Sequence, residues 1–172
     1  MGSIAEHEKA MLFIGLMYRE KEVFELAIQD IVDRFGEIIL RSPIFDFNFT
    51  DYYTPEMGAG LKKSFLAFET PVDPGNLAEI KVFTNNLETR HSSKANGKKQ
   101  RKINIDPGYT TQSKVVLAST KNRSQRIYMG EGIYAEVTLQ YKRGKWEPLP
   151  WTYPDFKTPI TLDFLTLIRG FL

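Results

Sequence analysis

The chain has 172 residues, 42% hydrophobic and 26% charged, with a net charge of +2; this is the composition of one globular domain, neither disordered nor membrane-spanning. It has no cysteine and only two histidines, His7 and His91. Disulfides, iron–sulfur clusters, thiolate zinc sites and cysteine nucleophiles therefore drop out together, and a histidine-built metal site or a Ser-His-Asp triad has little to draw on. The apolar run 10–17 is far short of the ~18 residues of a spanning helix. It follows Glu6, Glu8 and Lys9, the wrong flanks for a signal peptide, so a cytoplasmic protein with no membrane partner is expected. Charge is unevenly placed: residues 1–89 hold 8 Lys/Arg against 15 Asp/Glu, net −7, and residues 90–172 hold 15 against 6, net +9.

The continuous apolar run at 10–18 predicts a strand buried on both faces. Residues 21–35 place Val23, Phe24, Ala27, Ile28, Ile31, Val32 and Phe35 at helical spacing before Gly36, an amphipathic helix with its stop signal. Residues 38–49 read as extended with a bend at Pro43, and Phe45, Phe47 and Phe49 alternate with polar residues as a half-buried strand does. Residues 51–63 predict a loop with one helical turn, 64–72 a strand, and 73–88 a helix with apolar positions Leu77, Ile80, Val82, Phe83 and Leu87. The stretch 90–102 is polar, glycine-containing and basic, and predicts a mobile surface loop. Residues 103–105 form a short strand ending at Asp106-Pro107-Gly108, a turn signal. Residues 110–120 suit a helix capped by Thr110 or Thr111, while Val115 and Val116 leave a strand open. Strands at 125–129, 133–141 and 145–149 make a meander, and an amphipathic helix closes the chain at 162–172. The whole predicts a single α+β domain over 1–172 with a mainly antiparallel sheet: a ferredoxin-like β-α-β-β-α-β core extended by a C-terminal β-meander.

Four constellations could carry chemistry. Gly58-Ala59-Gly60-Leu61-Lys62-Lys63-Ser64 superficially resembles a phosphate loop, but Leu61 parts the glycine from the lysines and a strand follows where a helix is required. The basic stretch carries Arg90, Lys94, Lys98, Lys99, Arg101 and Lys102 with no acid and no aromatic residue; it offers salt-sensitive phosphate contacts, and hence RNA as a partner, without base stacking. A hairpin about Gly130-Glu131-Gly132 sets 129 opposite 133 and 126 opposite 136. One face then carries Ile127, Met129, Ile133 and Ala135, and the other Arg126, Tyr128, Tyr134 and Glu136. With Lys114, Lys121, Asp106 and Tyr109 nearby in sequence, this polar face is the candidate site for an anionic small molecule or nucleotide. Acidic residues at turns and strand ends, Asp51, Glu56, Asp106, Glu131, Glu136 and Asp155, offer only oxygen ligands, which would suit magnesium; no D-x-D or EF-hand spacing supports it. The proline-punctuated segment 148–156, with Trp151, Tyr153 and Phe156, is read as a stiff strap over the core.

Five phrases, FTDYYTPEMG at 49–58, KVFTNNLE at 81–88, INIDPGYTTQSKVVLASTK at 103–121, RIYMGEGIYAEVTLQY at 126–141 and PLPWTYPDF at 148–156, resemble a prokaryotic family known only as a domain of unknown function. Its members often carry the label GTP-binding protein or regulator. The resemblance implies guanine-nucleotide binding, yet the sequence has neither an intact phosphate loop nor an asparagine-lysine-x-aspartate motif. The expectation is a binding protein for an anionic ligand or nucleotide, with no cofactor or resident metal, and more a binder than an enzyme. The alternatives are a magnesium-dependent enzyme on phosphate esters, using Asp106, Glu136 and Asp51, and an RNA-associated protein.

Overall fold

The computed structural model describes residues 2–95 and 98–172. Asn96 and Gly97, at the tip of the predicted basic loop, lie outside the described residues. The first strand, β1 (Met11–Tyr18), is buried throughout, as its unbroken apolar run requires. It feeds α1 (Lys21–Phe35), which buries Phe24, Ala27, Ile28 and Ile31 and stops at Gly36, whose positive φ lets its N–H return to Val32 O. Next come β2 (Ile38–Arg41) and β3 (Phe45–Asp46), then α2 (Thr54–Met57) and β4 (Lys62–Phe68). Ser42 and Pro43 break the edge between β2 and β3. There the Ser42 hydroxyl accepts from Phe65 N, so β4 loses no backbone bond at the bend. After α3 (Leu77–Arg90) follow a separate two-stranded ribbon, β5 (Ser93–Ala95) with β6 (Lys98–Gln100), and then β7 (Ile103–Thr110), β8 (Lys114–Ser119), β9 (Ile127–Gly130), β10 (Ile133–Lys142) and β11 (Lys145–Pro148). The chain closes with α4 (Pro159–Arg169), whose N-cap Thr158 accepts from Thr161 N.

Among the described residues nine strands form one antiparallel sheet in the order β11-β10-β8-β7-β1-β4-β2, with β3 alongside β4 and β9 alongside β10. The fold is α+β. Even-numbered residues of β1 (Leu12, Ile14, Leu16) pack with α1 and α3, while Met11 and Phe13 pack on the opposite face with Phe156 and with Phe164, Leu165 and Ile168 of α4. The sheet is therefore covered on both faces.

One expectation needs correction, and the choice left open between helix and strand at 110–120 falls to strand. Asp106-Pro107-Gly108 is not a turn: β7 runs straight through it, paired along its whole length with β1. Residues 110–120 are not a helix; β8 pairs with β10 and, at Val115–Leu117, with β7. Its β-branched Val115 and Val116 suit a pleated surface better than a helix. Pro107 is tolerated inside the sheet because β8 pairs with β7 only at 108–110. The amide of Ile105 faces away from β1, to Glu88, and two residues on the same side falls Pro107, where no strand awaits a donor. The sheet thus splits between β7 and β8. Just beyond the split, a Cβ on Gly108 would stand 2.6 Å from both Val116 O and the Phe13 ring, so glycine is what lets the two strands meet.

Candidate functional site

Helix α3 lies beneath the split, touching β7, β8, β9 and β10. From it Lys81 reaches into the slot and donates to Ile105 O at 2.9 Å and Asp106 Oδ1 at 3.0 Å. One turn pair further on, Glu88 accepts from Ile105 N at 2.7 Å. Two side chains thereby replace the missing strand partner. Asn104 donates to Asp106 Oδ2 and accepts from Arg101, which also bonds Glu88 and, at 2.8 Å, Glu56 on α2.

On the face of Asp106 a second buried pair lies close by. Lys63 donates to Asp155 at 2.6 Å, the side chains being 7% and 5% exposed. The ammonium sits within 5.5 Å of the ring centres of Phe47, Phe65 and Phe156. Gly15 of β1 makes the room, since a Cβ there would meet the Phe65 ring at 3.0 Å and Lys63 Cε at 3.2 Å. Burial works to raise the Asp106 carboxyl, but Lys81 and Lys63, with the hydrogen bonds from Lys81 and Asn104, outweigh it and hold it below the usual carboxylate range. Glu88 goes the other way: burial raises it against the pull of Lys81 and Arg101. The Tyr53 hydroxyl is pushed well up by burial and by the nearby Asp106 charge. Lys81 is wedged in the slot at 6% exposure, whereas Asp106 keeps 34% of its side-chain surface open.

The predicted hairpin face adjoins this centre. Tyr128 pairs with Tyr134 and Ile127 with Ala135, as expected. The turn itself is tighter than expected, with Gly130 opposite Ile133 and a bulge restoring the register. Arg126 Nε donates to Glu136 Oε2 at 2.6 Å, and the two side chains are 4% and 2% exposed. Its other nitrogens donate to Ser119 Oγ, Lys121 O and the Tyr153 hydroxyl. Gln125 also donates to Glu136 Oε2, while Glu136 Oε1 is buried with no hydrogen-bond partner. Lys121 donates to the exposed Tyr52 hydroxyl at 3.0 Å.

Of the expected site residues, Arg126, Glu136, Lys121, Tyr128 and Tyr134 come together, and Asp106 lies on the same sheet face as Glu136 through the aligned positions Gly108 and Leu117. Lys114 is at the far end of β8, 3.8 Å from Glu8, and Tyr109 packs on the α3 face of the sheet. The expected apolar face holds only in part: Ile133 and Ala135 are buried, but Ile127 on the overhanging β9 is 73% exposed. Asp51 is exposed on its loop, and among the described residues no three His, Cys, Asp or Glu gather to hold a metal ion. In the basic stretch Arg90 pairs with Asp30, Arg101 with Glu56 and Glu88, and Lys102 with Glu20.

Lys63, Lys81, Glu88, Tyr53 and Tyr153 went unread as site residues. Their signal was present: Lys81, Thr84 and Glu88 occupy the buried stripe of α3, with Leu77, Ile80 and Leu87, and Lys63 alternates with Phe65 and Ala67 on one face of β4. Each of the five resembling phrases supplies part of this centre. Residues 8–171 match the family model described as Domain of unknown function (DUF4416). No curated protein and no solved structure matches the chain. Among the described residues no helix is long and apolar enough to cross a membrane.

Proposed function

The chain belongs to the DUF4416 family, and from its geometry we propose that it binds a small anionic ligand of the nucleotide class, without a phosphate loop, on the face of Tyr153, Lys121 and Tyr52 that lies over the Arg126–Glu136 pair. The observation that carries this reading is an exposed ammonium beside exposed rings: Lys121 Nζ donates to the Tyr52 hydroxyl at 3.0 Å, and Arg126 ties the Lys121 carbonyl to the Tyr153 hydroxyl. The exposed faces of Tyr52 and Tyr153 suit stacking. Lys121 supplies the charge that phosphates need. Buried ion pairs such as Lys63–Asp155 are a costly way to stabilise a fold, and their gathering beneath an open carboxylate is typical of a working site.

Around it, we infer a ferredoxin-like core: the connection β1-α1-β2-β4-α3-β7 and the antiparallel order β7-β1-β4-β2 support that reading, with β8, β10 and β11 as its extension.

Thermal shift and calorimetry with GTP, GDP and ATP test the function. A nucleotide should raise the melting temperature by mass action, and Lys121→Ala should weaken binding about tenfold or more with little change in the free protein's stability. No shift with any nucleotide at millimolar concentration sinks the reading. Phosphate release above background would move the protein from binder to enzyme.

A further inference from the structure

A second place in the molecule is built for an anion, away from the hairpin face. A cleft of about 270 Å³ opens between α2 and the start of β7, with Arg19, Glu20, Glu56, Gly58, Arg101 and Lys102 on its walls. Arg19 lies against Gly58 so closely that a Cβ there would stand 2.5 Å from Nη1, and Gly58 has a φ of +83°. The backbone conformation demands glycine, and without a side chain there the guanidinium of Arg19 lies directly over the Gly58 backbone. Yet among the described residues Arg19 makes no hydrogen bond, and its one ion-pair contact is Glu20, 3.7 Å away. Glu20 is already held by Lys102 at 2.6 Å, whose ammonium keeps its carboxyl below the usual range. On the other wall Arg101 commits both terminal nitrogens to Glu56, Glu88 and Asn104, and its Nε is buried with no partner.

We propose that this cleft binds a phosphomonoester dianion, with Glu20 acting as the internal anion that the ligand displaces. Glu20 is part-exposed at the start of α1 and can swing into water. Once it leaves, Arg101 stays committed to Glu56 and Glu88, while Arg19 and Lys102 are left as two cations without a carboxylate partner, a pair that matches the dianion and overmatches a singly charged diester. Arg19 offers the planar fork that grips two phosphate oxygens, and Lys102 the point charge released from Glu20. The site is independent of the nucleotide reading, because it shares no residue with Lys121, Arg126 or Glu136.

Calorimetry on the full chain with phenyl phosphate tests it, against an RNA hexamer that has only diester phosphates. Phenyl phosphate should bind saturably, Arg19→Gln and Lys102→Gln should each weaken it about tenfold or more, and Glu20→Gln should tighten it. Lys121→Ala should leave it unchanged, which separates this cleft from the hairpin face. Arg19→Gln should keep the wild-type melting temperature, since the side chain is exposed and unbonded. The proposal is overturned by no saturable heat, by binding indifferent to Arg19→Gln, by weaker binding in Glu20→Gln, or by equal affinity for the hexamer.

Discussion

Arg126 and Glu136 face each other across the β9–β10 hairpin as a fully buried, hydrogen-bonded pair, and Arg126 at the same time ties Ser119, Lys121 and Tyr153 together. This is the anchor of three segments, not a surface ion pair. Arg126→Ala should therefore destabilise the protein by ~3–5 kcal/mol, because Glu136 is left buried without its cation. Urea denaturation measures it; a loss below ~1 kcal/mol would mean that the pair behaves as an exposed one. The paired change Arg126→Met with Glu136→Leu should cost less than the single one.

The Lys81–Asp106 pair makes stability pH-dependent. Asp106 ionises more readily folded than unfolded, so its contribution is complete above the unfolded value near 3.8 and is lost as pH falls through the lower folded one. Asp106→Asn should cost about 2 kcal/mol at neutral pH, a discounted figure because a third of the carboxylate meets water. That difference should shrink below pH 4 in denaturant melts. A constant difference at every pH would assign the loss to packing.

Glu88 carries the opposite sign. Its folded value lies above the unfolded 4.5, so the folded state holds the proton more tightly and stability falls as pH rises between the two. Glu88→Gln keeps an acceptor for Ile105 N but removes that slope. The variant should gain on the wild type as pH rises above 4.5, read from melting temperatures across pH 4–8.

Gly108 is fixed by contact. Gly108→Ala places a methyl group against a backbone carbonyl and two side chains at 2.6–2.7 Å, and should destabilise by about 3 kcal/mol through overpacking. Gly130→Ala, with open space around its Cβ, bears only backbone strain of about 1–2 kcal/mol. Calorimetric melting of the two variants should reproduce this ranking.

What the sequence disclosed follows from what local pattern can encode. The apolar run of β1, the periodicity of α1 and the alternating hairpin residues each declare one element and one facing, and the Arg126–Glu136 partnership followed from counting across the turn. Asp106-Pro107-Gly108 misled because turn chemistry is local, whereas the reason proline fits there is the divergence of β8, six residues and more downstream. The centre itself was half legible. Arg126, Glu136 and Asp106 were found from their neighbours in sequence, but Lys63, Lys81 and Asp155 converge from a strand, a helix and a proline-rich strap. No spacing rule joins residues that far apart.

The slot between β7 and β8 gives one amide an unusual keeper. In an ordinary sheet the N–H of Ile105 would be shielded by a neighbouring strand and would exchange with solvent when the ladder unzipped. Here it is held by the carboxyl of a helix residue, Glu88, while Lys81 holds the carbonyl of the same residue. The hydrogen-exchange clock of Ile105 is therefore set by α3 and by one carboxyl's proton, and helix and strand cannot slide past each other without both side chains letting go.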